Sequence, residues 1–238
     1  MRRAAVVAFA LVIAACGGDD AEVGGDTVAP TATSEATTTT TIAPTTTVAT
    51  TTTVPDTTTS LLEVSEDLEF GEVTVSGVPL PRFDAAVTDA SVGAPIPAVV
   101  GSDFEGTEVG IVDDGTAKVI VFLAHWCPHC QAEVPSVRDW LGGYDLPEGV
   151  AFYSVATGMD PSRPNYPSSQ WLEGEMWPVP VIVDDDAFAA ARAFGLNAYP
   201  FWVFVYGDGT LAARVAGGLP IEVLTNAVEL LAEGPPTV

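Results

Sequence analysis

Both histidines of the chain and two of its three cysteines stand within one short stretch, His125-Trp126-Cys127-Pro128-His129-Cys130. Three chemistries fit those residue types. Two thiols separated by two residues can act as a redox dithiol. Two imidazoles and two thiolates offer soft or borderline donors to copper or another soft metal. Two cysteines can also form a structural disulfide, but so small a loop constrains the unfolded chain little, which argues against that use.

Position in the fold separates these uses. Lys118–Ala124 (KVIVFLA) is a continuous apolar run, read as a strand buried on both faces. A helix is expected from Pro128 to Leu141, stopping at Gly142-Gly143. Cys127 then lies where a buried strand hands over to a helix, with Pro128 at the first helical position. Its sulfur faces unpaired backbone N–H groups and the positive end of the helix dipole, and both favour thiolate over thiol. Cys130 follows one turn later. The spacing gives an exposed attacker at Cys127 and a shielded resolver at Cys130. His129, between them, is placed to add positive charge or a hydrogen bond. Four metal donors converge poorly at such a junction, so a copper or soft-metal carrier is the alternative reading. No metal and no cofactor are assigned. With both cysteines present, nothing suggests a redox-dead interaction module.

Glu133 adds a second clue. At 100° per residue from Cys130, the side chains of Val134, Val137, Trp140 and Leu141 form one apolar stripe, and Glu133 falls inside it. A carboxylate there is partly desolvated, holds its proton more tightly, and can exchange it with Cys130.

The elements that position these groups follow in order. A second strand is expected at Val150–Thr157, a short helix at Ser168–Glu175, and another strand at Val179–Val183. Asp184–Asp186 can cap a helix running to Phe194, with Gly195 at its end. Phe201–Tyr206 and Leu211–Ala216 flank the turn Gly207-Asp208-Gly209. A last helix begins at Pro220 and carries Ile221, Leu224, Val228 and Leu231 on one face. The expected class is α/β, a mixed central sheet flanked by helices.

Trp126-Cys127-x-x-Cys130-x-x-Glu133-x-Pro135 resembles the active-site signature of the thioredoxin superfamily, and in particular of its TlpA/ResA-like membrane-anchored thiol–disulfide oxidoreductases. Pro135 matches the proline that interrupts the active-site helix in that family. Pro200, in Asn197-Ala198-Tyr199-Pro200-Phe201, matches its cis-proline opposite the dithiol. The resemblance covers roughly residues 95–234. It implies a thioredoxin-like fold, a redox disulfide between Cys127 and Cys130, and catalytic contributions from Glu133, His129 and Pro200. It places Trp126 and Tyr199 against the client. It also implies client proteins with cysteines, such as apocytochrome c or metallochaperones, and a membrane redox partner. Three positions depart from the pattern. Tyr199 stands where Thr is frequent. Val121 stands where thioredoxin itself carries a buried acid. Pro128-His129 is the dipeptide typical of the oxidant DsbA, whereas the TlpA/ResA-like frame points to a reductant.

The amino terminus reads as an address. Arg2 and Arg3 precede an apolar run from Ala4 to Ala15, shorter than the roughly 20 residues needed to cross a bilayer. Ile13-Ala14-Ala15-Cys16 resembles the lipobox of bacterial lipoproteins, which implies cleavage before Cys16 and lipid on its sulfur. Residues 1–15 are thus read as a signal peptide and 16–60 as a lipid-anchored, Thr/Pro-rich disordered linker. Such a linker reaches about 35–40 Å root mean square. Residues 61–94 are an extension of uncertain structure, and 95–238 the thioredoxin-like domain. The location is extracytoplasmic, at the bacterial cell membrane, where disulfides persist. With 32 Asp plus Glu against 8 Lys plus Arg, no basic surface is available for phosphates, so nucleic acid is excluded as a partner. The domain is expected to be a monomer.

Overall fold

The computed structural model describes residues 69–236. The expected signal peptide, Cys16 and the Thr-rich linker lie outside them. Eight strands and four helices are seen among the described residues: β1 (Thr74–Ser76), β2 (Ala98–Ser102), β3 (Glu108–Ile111), β4 (Ala117–Leu123), α1 (Pro128–Gly143), β5 (Val150–Ala156), α2 (Ser168–Gly174), β6 (Val181–Val183), α3 (Ala189–Ala193), β7 (Phe201–Val205), β8 (Leu211–Ala216) and α4 (Ile221–Glu233).

The central sheet has the order β6-β5-β4-β7-β8. β4 pairs parallel with β5 and antiparallel with β7, so it is flanked on both edges. All seven of its residues are buried, as its apolar run requires. Alternate side chains serve opposite faces. Val119, Val121 and Leu123 meet Val134 and Val137 of α1 and Leu224, Val228 and Leu231 of α4. Ile120 and Phe122 meet Val99 of β2, Ile111 of β3 and Ala190 of α3. Each such side chain, fully buried, contributes about 1.5–3 kcal/mol. This is the mixed α/β sheet expected.

β2 and β3 were not anticipated. They form a second, antiparallel sheet with β1, in the order β1-β2-β3. Gly101 and Gly110 interrupt their apolar pattern, which hides strands of four or five residues. β1 falls within the extension whose structure the sequence left uncertain.

The segment set apart as 61–94 is, over residues 69–94, part of the same unit as the rest of the domain. Leu80 N–H donates to Ala193 O and Phe83 N–H to Gly195 O, both at 2.8 Å. The Phe83 ring lies 5.6 Å from that of Phe201. Arg214, on β8 and 5% exposed, makes a two-pronged ion pair with Asp89 at 2.7 Å for each prong. Its remaining nitrogen donates to Pro81 O and Phe194 O. Gly195 is required where these meet: its φ is +73°, and a Cβ would collide with Pro81 O.

α3 is shorter than expected. Phe188 takes a left-handed conformation (φ 55°), so helix starts only at Ala189. The acidic cap still acts: Asp185 accepts from Ala189 N–H, and Asp184 from Ala190 and Ala191 N–H.

Candidate active site

Cys127 is the N-cap of α1, in extended conformation, and Pro128 fills the first helical position. Cys127 N–H donates to Ala124 O, and Gln131 N–H to Cys127 O. The sulfur thus sits at the open end of a sixteen-residue helix, among backbone donors with no helical partner. Both cysteines are free thiols. Cys130 is fully buried, and Cys127 is 5% exposed. The expected exposed attacker is therefore covered: both sulfurs sit in the apolar cluster beneath the sheet's end, and Cys127 is only the less enclosed of the two. Burial pushes the Cys130 thiol well up, and a hydrogen bond from the Ala124 backbone offsets only part of this.

Tyr199, just before β7, faces Cys127 with its carbonyl. The Tyr199–Pro200 peptide bond is cis, and Pro200 is buried. Cys127 Sγ–H points at Tyr199 O across 3.6 Å. The Tyr199 ring meets the edge of the Trp126 ring at 5.6 Å, and its hydroxyl lies over Gly158, whose missing Cβ leaves the room. Burial raises the Tyr199 phenol to about 12. Trp126 is fixed by its own N–H, which donates to Gly158 O at 2.7 Å.

Glu133 is 8% exposed and lies one turn beyond Cys130, on the buried face of α1 with Val134 and Val137. Leu219 N–H donates to its Oε1 at 2.7 Å. Burial raises the carboxyl from 4.5 to about 7, and the Leu219 hydrogen bond opposes that rise. The Trp202 indole N–H is nearby and pulls weakly in the same sense as Leu219, but it makes no hydrogen bond. Val121, opposite Trp202 in the β4–β7 pairing, leaves that part of the core without an acid of its own.

His129 is not where the sequence suggested. It is exposed and has no hydrogen-bond partner among the described residues, because the second position of α1 points to solvent. His125 turns away from the cysteines. Its Nδ1 contacts Pro164 O at 2.7 Å, and its Nε2 accepts from Asp160 N–H at 3.2 Å. The four metal donors of the six-residue stretch therefore do not converge. Among the described residues no group of three His, Cys, Asp or Glu could hold a metal ion.

Sequence reasoning read a Pro-rich loop between Thr157 and Ser168 but gave it no part in the site; it lies against His125 and Trp126. It carried no motif; its prolines and the buried polar His125 next to the dithiol were the available signals. Asp184 was read only as a cap. It is also fully buried, accepts from Thr157 Oγ1 at 2.7 Å, and is raised by burial.

Comparison with known proteins agrees with this geometry. The AhpC/TSA family model matches residues 92–214. A thiol:disulfide interchange protein DsbE homolog of Paracoccus denitrificans is 28% identical over 168 residues, 66% of this chain and 84% of that one. Among solved structures, a thioredoxin-family thiol:disulfide interchange protein of Chlorobium tepidum superposes with a TM-score of 0.50 at 20% identity, covering 61% of this chain and 99% of that one. StoA of Bacillus subtilis superposes at 0.47 with 18% identity, over 58% and 98% of the two chains. The chain belongs to the AhpC/TSA family, with the fold of the thioredoxin superfamily and the dithiol of a TlpA/ResA-like thiol–disulfide oxidoreductase.

Proposed function

We propose that this protein is an extracytoplasmic thiol–disulfide oxidoreductase, held at the bacterial membrane by lipid on Cys16, that exchanges its Cys127–Cys130 couple with cysteines of client proteins. The observation that carries the reading is the placing of Cys127 at the open helix end beneath Tyr199 O, one turn before a buried Cys130 and two before a buried acid.

In the reducing direction, the Cys127 thiolate attacks one sulfur of a client disulfide. The client S–S bond breaks, its other sulfur leaves as thiolate and takes up a proton, and a mixed disulfide forms. Cys130 then gives its proton to the Glu133 carboxylate and attacks Cys127 Sγ. The mixed disulfide breaks and the second client sulfur leaves. That sulfur takes up the proton held on Glu133, so the client has gained two electrons and two protons; the couple has lost two electrons, the Cys130 proton and the proton that Cys127 had already shed to solvent. The oxidising direction is the reverse. A neutral thiol is a poor nucleophile, so a base with pKa near 7 beside the buried Cys130 suits the second step. Trp126 and Tyr199 border the client, and Pro200 leaves the Tyr199 backbone open to an extended client strand. His129 acts through its charge alone. The name borne by the Paracoccus relative supports the same reaction.

The domain is read as a monomer on a long tether spanning residues 16–60, after a signal peptide of residues 1–15. Its clients are cysteine-bearing proteins such as apocytochromes c or metallochaperones, recharged through a membrane redox partner. Cys130→Ser is expected to trap mixed disulfides with clients and Cys127→Ser to trap none; equal trapping by both would overturn the roles. Cys16→Ser is expected to move the protein from the membrane to the soluble fraction with its exchange activity intact, and retention in the membrane would overturn the anchor.

A further inference from the structure

His125 is buried, adjoins Trp126-Cys127, and takes no part in the exchange described above. Both ring nitrogens and the carbonyl are engaged, and mostly with one loop. Pro164 O can only accept, so Nδ1 carries a proton. Asp160 N–H can only donate, so Nε2 carries none. These two contacts select the Nδ1–H tautomer. The His125 carbonyl accepts from Asn165 Nδ2 at 3.2 Å and from Gln131 Nε2 of α1 at 2.9 Å. The Tyr166 ring packs against the imidazole at 5.6 Å. Both ends of the loop are thus fastened to one residue.

What the loop carries is functional in kind. The Arg163 guanidinium stands 4.1 Å over the Trp126 ring, and Asp160 pairs with it at 3.3 Å. Trp126 in turn bonds the loop's first carbonyl and touches Tyr199. Arg163, Trp126 and Tyr199 therefore form a continuous wall beside Cys127, half of it borne by a segment with no regular structure of its own. A cation over an exposed indole face is a weak contact, too little to hold such a loop alone.

We propose that His125 is a positioning residue that clamps the 158–167 loop, and that the wall so formed selects polypeptide clients over small disulfides. The proposal rests on the exchange reaction above and adds the element that recognises its substrate. A small disulfide needs only Cys127. A peptide lying along Tyr199 must also fit Arg163 and Trp126.

The test compares two probes, 2-hydroxyethyl disulfide and a short synthetic peptide closed by one disulfide. His125→Ala removes both hydrogen bonds of the ring. It is expected to lower the ratio of peptide to small-disulfide kcat/KM about tenfold, through KM for the peptide. His125→Asn retains a donor near Nδ1 and is expected to fall between. If His125→Ala does not fold, Arg163→Ala on the exposed side of the wall decides the matter, with the same direction expected. Long-range ¹H–¹⁵N correlation on the wild type should show the Nδ1–H tautomer. An unchanged ratio in these variants, an equal fall with both probes, or a proton on Nε2 overturns the proposal. A wild type inert towards both probes overturns the exchange reading itself, and this inference with it.

Discussion

Leu219 N–H donates to Glu133 Oε1 at 2.7 Å across 86 positions of sequence. That bond joins the active-site helix to the approach of α4, and it keeps a carboxylate in a core that would otherwise reject it. Gly218, next to the donor, packs so closely that a Cβ there would stand 3.1 Å from Glu133 Oε2.

Glu133 links stability to pH. Its carboxyl is raised from 4.5 to about 7 in the folded protein, so the folded state favours the protonated form. The associated stability is fully present below pH 4.5 and lost as pH rises through about 7. Glu133→Gln, neutral throughout, is expected to match the wild type at pH 4 and exceed it by on the order of 2–3 kcal/mol at pH 8. Urea unfolding at the two pH values measures this; a constant difference would show that the carboxyl is not raised.

The same substitution removes the proton acceptor for Cys130. Turnover of Glu133→Gln should fall by about a hundredfold, and the limb of the pH–rate profile near 7 should flatten. Stopped-flow tryptophan fluorescence, with Trp126 beside the dithiol, follows the step. A profile that keeps its limb would assign that limb to another group.

His129 is exposed and has no partner among the described residues, so on the proposed reaction it would act on the couple through space and not through a hydrogen bond. His129→Gly should make the couple more reducing by on the order of 30 mV, about tenfold in equilibrium constant. Equilibration with glutathione at several ratios reads the potential. No change would leave the helix end alone responsible for the reactivity of Cys127.

Arg214 holds residues 81–89 against α3 and β8 from a nearly sealed position. Removing its partner by Asp89→Ala leaves a buried charge half satisfied. Such losses cost about 3–5 kcal/mol, at roughly 2–4 °C per kcal/mol for a domain of this size. A fall in Tm of about 10 °C is expected, with exchange activity unchanged at low temperature. A fall under 2 °C would show the pair to be dispensable.

Legibility followed periodicity. β4 and β7 were readable as continuous apolar runs that fit strands buried on both faces, and α1 and α4 because their apolar residues recur at the helical period, each packing where its pattern points. Glu133 was readable for the same reason, as a charge inside an apolar stripe. β2 and β3 were not, since glycines break strands of four and five residues. The part played by the loop over Trp126 was invisible because its order comes from His125, more than thirty residues away. The solvent-facing direction of His129 depended on the tilt of the helix start, which spacing alone does not supply.

Of eight Lys and Arg residues in the chain, Arg2 and Arg3 precede the described residues and six remain. Lys118 and Arg214 are sealed within strands. Arg138 and Arg192 lie in helices, and Arg163 precedes a proline. Arg82 alone sits exposed in an irregular stretch before an ordinary residue. To a trypsin-like enzyme, which must draw an exposed, extended segment into its cleft, the folded domain thus offers one bond, Arg82–Phe83. Even there the Phe83 amide is pinned to Gly195. The scarcity of cations that makes the protein so acidic also leaves the described domain few bonds for such an enzyme to cut.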